Sequence, residues 1–192
     1  MKVLAINGSP RKGGNTDILL DKALEGAAAS GALVEKISLD SLDIAPCREI
    51  ECGKTREDGL SIVEDDIYVV FEKIKGCDAL IIGSSIFFGS ITAQLKAMID
   101  RFQCVWLAKN FQKKDIFNKR ITSAFICVEA TDRTDFFDNA EFIVKHFFVT
   151  ISAEYKEKLF CSNLEEKAAV LKKPKMLDKA YELGKKMAEP ST

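Results

Sequence analysis

The sequence predicts a three-layer α/β domain built on a parallel sheet, and three observations predict it. Short runs rich in Val, Ile, Leu and Ala recur at wide spacing, helical patterns fill the intervals, and turn residues mark the junctions. Strands separated in this way pair in parallel, because only a long crossover returns the chain to the same end of a sheet. A chain of 192 residues that is 47% hydrophobic suffices for one such domain over 1–192, whereas two would be cramped.

The opening run KVLAI, residues 2 to 6, is almost uniformly apolar, as a central strand covered on both faces requires. A helix is expected from about 16 to 30, and LVEKISL, 33 to 39, alternates polar and apolar residues as an edge strand does. Residues 40 to 66 are charged and contain Pro46, Gly53 and Gly59, which predicts an excursion over the surface rather than a linker. DALIIGS, 78 to 84, is a second central strand, followed by a helix from about 90 to 103. RITSAFICV, 120 to 128, is the fourth strand, a helix over 135 to 147 follows, and TISAEYKEKLF, 150 to 160, alternates as the other edge. The closing helix, about 174 to 188, opens on Pro174, whose missing N–H costs nothing in a first helical turn.

A formal charge of −1 and a pI near 6.0 leave no electrostatic footprint for nucleic acid or an anionic membrane. No run approaches the ~20 apolar residues that span a bilayer, and MKVLAINGSP is too short in its apolar part for a signal peptide. The expectation is a cytoplasmic protein whose partners are small molecules or other proteins. Cysteines stand at 47, 52, 77, 104, 127 and 161, mostly far apart, and read as small apolar residues rather than a disulfide framework.

The chemistry is concentrated in NGSPRKGGN, residues 7 to 15, between the first strand and its helix. A plain connection needs only about 2 to 6 residues, enough for Gly13 and Gly14 to make a tight turn with Asn15 or Thr16 as cap. The extra length lies at the carboxyl end of a parallel strand, where ligands bind, and at a helix N-terminus, which attracts anions. Ser9, Arg11, Asn15 and Thr16 add polar donors suited to a phosphate monoester. Gly8 to Gly13 satisfies the first part of a Walker A loop, but Gly14 and Asn15 replace its Lys and hydroxyl, and Pro10 breaks the dinucleotide fingerprint. After the third strand the chain reads GSSIFFGSITAQLKAMIDRF, with a short apolar loop between Gly83 and Gly89. If the strands run in the order 2-1-3-4-5, the two loops border one crevice that suits a phosphorylated flat aromatic ligand. Taken alone, IFF reads as core.

Together GSPRKGGNT (8 to 16) and SSIFFGSITAQLKAMIDR (84 to 101) resemble the flavodoxin-like NAD(P)H-dependent FMN reductases, and most nearly the iron–sulfur flavoproteins among them. The resemblance implies a flavodoxin-like three-layer sandwich with a five-stranded parallel sheet of order 2-1-3-4-5. It implies that Ser9, Arg11, Asn15 and Thr16 hold the FMN phosphate. Ser85, Ile86, Phe87, Phe88 and Gly89 would flank the isoalloxazine, with backbone amides directed at its N5 and O4 edge. The departures are Ser85 where the family usually has Pro, Phe87 where it often has Tyr, and VEATDRTDFF (128 to 137) without the usual Gly-rich stretch, which weakens any role for Glu129, Ala130 or Thr131. Iron–sulfur flavoproteins carry four close cysteines between strands two and three. Here Cys47 is followed by Ile50 and Gly53 at the next ligand positions and Cys52 is out of register, so no iron–sulfur cluster is expected. Zinc is not expected either, because the chain has a single His, His146.

By this resemblance the chain passes electrons from NAD(P)H through FMN to a quinone, a flavin or a protein acceptor, with no catalytic side chain in the strict sense. The alternatives are a flavodoxin-type electron carrier, against which the near-neutral charge argues, and a non-catalytic relative of the iron–sulfur flavoproteins. FQCVWLAKNF (102 to 111) continues the helix after the second motif and predicts a homodimer or tetramer with Trp106 near the interface; alternatively this apolar run closes the domain's own core.

Overall fold

A computed structural model describes residues 1–48, 63 and 65–189. Five strands form one parallel sheet: β1 (Lys2–Asn7), β2 (Leu33–Ser38), β3 (Ala79–Ser85), β4 (Ile121–Val128) and β5 (Ala153–Cys161), in the order β2-β1-β3-β4-β5. The helices are α1 (Asn15–Ala29), α2 (Ile67–Gly76), α3 (Ala93–Arg101), α4 (Gln103–Phe111), α5 (Phe136–Thr150) and α6 (Pro174–Met187). The expected flavodoxin-like order is the observed one, and β2 and β5 are the edges their alternation predicts.

Alternate residues of the central strands enter two different cores. Leu4, Ile6, Leu80, Ile82 and Phe125 join Ile67, Val70, Phe71, Ile74, Leu95, Met98 and Phe147 under α2, α3 and α5. Val3, Ala5, Ala79, Ile81, Ala124 and Ile126 join Leu19, Leu20, Ala23, Ala27, Ala180 and Leu183 under α1 and α6. This two-sided burial is why β1 and β3 read as uninterrupted apolar runs. Helices α1 and α6 approach so closely that a Cβ on Gly184 would collide with the Ala23 carbonyl and one on Gly26 with the Tyr181 carbonyl.

Three elements differ from expectation. Helix α2 lies where the sequence reading placed none, because IYVVFEKIKG is rich in β-branched and aromatic residues that mask its helical spacing of Ile67, Val70, Phe71 and Ile74. The helix predicted to run on through Trp106 is broken at Phe102 into α3 and α4. Helix α5 continues to Thr150, and the chain turns at Ser152, with φ +57°, before β5 begins at Ala153. Of the apolar residues in 102–111, Phe102 and Val105 are core while Trp106 and Phe111 stay exposed, so this stretch closes the domain's own core only in part. No described helix is long and apolar enough to cross a membrane.

Candidate functional site: a cleft at the carboxyl edge of the sheet

The pairs Ile6↔Ile82 and Asn7↔Gly83 set the ends of β1 and β3 side by side, so the loops that follow them share one edge. They are fused by backbone contacts. Gly8 donates its N–H to the Gly83 carbonyl at 2.8 Å, and its own carbonyl accepts the Thr92 hydroxyl at 2.6 Å. A Cβ on Gly8 would sit 2.8 Å from Leu95 Cβ, so only glycine allows this approach.

The first loop is shaped by an internal polar network. Gly14 N–H closes a turn onto the Arg11 carbonyl at 2.9 Å, with Gly13 at φ +66° in the position of such a turn that favours glycine. The Asp17 carboxylate accepts from Gly13 N–H at 2.8 Å, from Asn7 Nδ2 at 3.1 Å and from Lys36 Nζ at 2.7 Å. Asn7 Oδ1 in turn accepts Ser9 N–H at 3.0 Å. Burial works against the Asp17 charge, but Lys36 and the Gly13 N–H outweigh it and hold the carboxyl below its ordinary value.

Helix α1 begins in this loop with its first donors unspent. Gly14 is the cap residue and no side chain caps the end. Among the described residues the N–H groups of Asn15, Thr16 and Asp17 have no acceptor, although all three residues are buried. Helix-start donors left over in this way are available to a partner. A phosphate group fits: the start of α1, Ser9 and the exposed Arg11 stand together at one end of a cleft lined there by Ser9, Arg11, Gly14 and Asn15.

The second loop turns sharply. Phe87 and Ser90 exchange backbone hydrogen bonds at 2.8 and 3.1 Å, with Phe88 (φ +51°) and Gly89 (φ +75°) at the tip in the left-handed region. Asn139 Nδ2 ties the Gly89 carbonyl to α5 at 2.8 Å. Ile86 N–H donates to the Val128 carbonyl at 2.8 Å, so the amides of Ile86 and Phe87 are used within the protein, and those of Phe88 and Gly89 have no acceptor among the described residues.

A cleft of about 260 Å³ opens between the loops, and Ser9, Arg11, Asn15, Ser85, Ile86 and Phe87 line it. Three expectations are modified. The Asn15 carboxamide is spent elsewhere: Nδ2 donates to the carbonyls of Leu164 and Glu166 at 2.9 and 2.8 Å, and Oδ1 accepts Val170 N–H at 3.0 Å, leaving only the backbone amide for a ligand. Thr16 does not line the cleft but stands behind Ser85, the two hydroxyls 3.0 Å apart. Phe88 and Gly89 lie beyond it, the Phe88 ring wholly in solvent.

The loop after β4, whose role the missing glycines weaken in the sequence, does reach the cleft, and a further wall comes from a segment the sequence does not mark. Val128 and Ala130 supply the third, while Glu129 beside them is buried and accepts Thr131 N–H and Oγ1, each at 3.0 Å. Leu164, Glu165 and Lys167, from the segment after β5, supply the fourth. Nothing in LEEKAAVLKK marks such a role, since it reads as a solvated helical stretch.

None of the described cysteines lines the cleft. Cys77, Cys104, Cys127 and Cys161 are buried thiols, and burial pushes Cys77 up to about 12, Cys161 up to about 11, and Cys127 upward as well. Such thiols are poor nucleophiles and poor metal ligands. Cys47 is disulfide-bonded, against the expectation of free thiols, and Cys52 lies outside the described residues. No cluster of three or more His, Cys, Asp or Glu among the described residues is arranged to hold a metal ion.

Comparison with known proteins places this geometry. An iron-sulfur flavoprotein of Methanocaldococcus jannaschii is 42% identical over 101 residues, 53% of this chain and 51% of that protein. An iron-sulfur flavoprotein of Methanosarcina thermophila is 34% identical over 115 residues, 60% of this chain and 59% of that protein. The chain thus spans about half to three fifths of the length of these curated relatives. Among solved structures, NAD(P)H:quinone oxidoreductase from Methanothermobacter marburgensis shares the fold with a TM-score of 0.71 at 16% identity, over 100% of this chain and 99% of that one. A flavone reductase gives a TM-score of 0.75 at 19% identity, over 98% of this chain and 62% of that one. The model of the NADPH-dependent FMN reductases matches residues 1–133, both loops included, and the chain belongs to that family.

Proposed function

We propose that this chain binds FMN in the cleft between the loops after β1 and β3 and works as an NAD(P)H-dependent flavin oxidoreductase, delivering electrons to a quinone or a second flavin. The observation that carries the reading is the trio of backbone amides of Asn15, Thr16 and Asp17 at the start of α1, without acceptors among the described residues, beside Arg11. Unspent donors at a helix start, with the positive end of the helix dipole, suit a phosphate. When bound, FMN would supply a ring able to accept hydride and pass electrons on. The protein's share is to hold the phosphate with the α1 amides, Ser9 and Arg11, and to present Ile86 and Phe87 as an apolar edge. Ser85 reaches the same end through its hydroxyl. No side chain of the cleft is needed as acid or base.

Exposed Trp106, Phe111, Phe142 and Val149 form an apolar face on α4 and α5, with a groove of about 460 Å³ bordered by Trp106, Phe142 and His146. We propose that a second copy of the chain covers it. Sedimentation at micromolar concentration tests this: a dimer that Trp106→Glu dissociates is expected, and a monomeric wild-type protein overturns it.

The function is tested by titrating FMN into flavin-free protein and following NADH and NADPH oxidation with quinone or free FMN as acceptor. Saturable FMN uptake, weakened about tenfold or more by Arg11→Ala, with FMN-dependent nicotinamide oxidation, is expected. Tight uptake without turnover points to an electron carrier. No uptake ends the reading.

A further inference from the structure

The segment between β5 and α6 is fastened over the phosphate end of the cleft more firmly than a connecting loop requires. All the hydrogen-bonding capacity that the buried Asn15 carboxamide shows is spent on it, through Leu164, Glu166 and Val170 at 2.8–3.0 Å. Arg11 Nη1 reaches the Glu165 carbonyl at 3.5 Å. Asn163 (φ +59°) and Ala168 (φ +61°) both stand in the left-handed region, which an alanine adopts only at a cost. The three Asn15 bonds over-determine this turn and hold the alanine in place.

That turn carries Lys167 to the phosphate loop. Its Cε and Nζ lie 3.7 and 4.0 Å from the point a Cβ on Gly13 would occupy, and it lines the same cleft as Ser9 and Arg11. Gly13 has no side chain to keep the ammonium away. Among the described residues neither Arg11 nor Lys167 pairs with a carboxylate. A phosphate monoester carries roughly −1.5 to −2 at neutral pH, more than one guanidinium neutralises.

We infer that Lys167 is the second cation of this site and acts with Arg11 to select a phosphorylated flavin over riboflavin. The inference rests on the FMN reading above. The segment after β5 is then a ligand wall, and Asn15 is its positioning residue.

The test measures the affinities of FMN and of riboflavin for the full-length flavin-free protein as wild type, Lys167→Met, Lys167→Arg and Arg11→Ala. Lys167 is exposed, so these variants at that position fold. Lys167→Met should weaken FMN binding about 5- to 20-fold and leave riboflavin unchanged, with Lys167→Arg close to wild type. Unchanged FMN affinity in Lys167→Met, with a loss in Arg11→Ala, removes Lys167 and leaves the FMN reading standing. Equal losses for FMN and riboflavin in Lys167→Met also overturn the inference, because they mark a wall without charge recognition. A wild-type protein that takes up no FMN ends the FMN reading and this inference with it.

Discussion

Ser85 Oγ donates a hydrogen bond to Ser9 Oγ at 3.2 Å, joining the loop after β3 to the loop after β1 by a hydroxyl pair. Thr16 Oγ1, behind the cleft wall, lies 3.0 Å from the same Ser85 oxygen, so three hydroxyls from three elements form one chain. The resemblance read from the sequence puts a Pro where Ser85 stands, a residue that stiffens a loop by covalent means. Here a hydrogen-bonded bridge ties it to its neighbour instead. Ser85→Ala is expected to lower stability by about 1 kcal/mol, the ordinary net worth of such a bond, read from urea unfolding of the flavin-free protein. No shift in midpoint would mean that the bridge is not formed in solution.

Asn15→Ala strips three partners from the segment 164–170, leaving two carbonyls and an N–H in need of water. The expected loss is about 2–3 kcal/mol. Hydrogen exchange should localise the loosening: the amide of Val170 should exchange faster, while those of β1 and β3 keep their protection.

The Asp17–Lys36 pair makes stability depend on pH in a definable direction. Asp17 is held below its ordinary value, so its contribution is complete above the unfolded carboxyl's pKa of about 3.9 and fades as pH falls through the lower folded value. Asp17→Asn should be less stable than wild type at pH 7, and the gap should close below about pH 4. Unfolding midpoints across pH 2 to 7 check this, and a gap independent of pH would rule out the assignment.

Arg101 is buried on α3 and bonds to the buried Asp65 carboxylate, to the Ala45 carbonyl at 3.0 Å and to the Val63 carbonyl at 3.2 Å. It therefore ties α3, the helix that follows the apolar loop, to residues on either side of 49–62. Removing one member of such a pair leaves the other charge buried. Arg101→Ala should cost about 3–5 kcal/mol, read from thermal or urea unfolding. Arg101→Ala combined with Asp65→Ala should recover part of that loss.

Helix α1 and α6 meet through Gly26 and Gly184, where added methyl groups would strike backbone carbonyls. Gly184→Ala is expected to cost about 3 kcal/mol or to prevent folding, since backbone cannot yield as a flexible side chain can. A soluble variant of unchanged melting temperature would show that the helices separate freely.

Much of this molecule was legible in the linear chain because the relevant signals are local. Two-sided burial writes itself as the apolar runs KVLAI and DALIIGS, edge strands as the alternation of LVEKISL, and a helix start as Gly followed by Asn-Thr. The two motif loops were legible for the same reason: each is one contiguous stretch at a strand end. Tertiary structure alone decided the rest. Asn15 looked like a ligand donor in sequence, yet its carboxamide bonds to residues about 150 positions away. Lys167 and Leu164 enter the cleft because β5 lies beside β4 and the chain must cross back toward α1 to reach α6. Hydrogen bonds and walls of that kind depend on which segments the sheet order brings together, and no periodicity along the chain records that order.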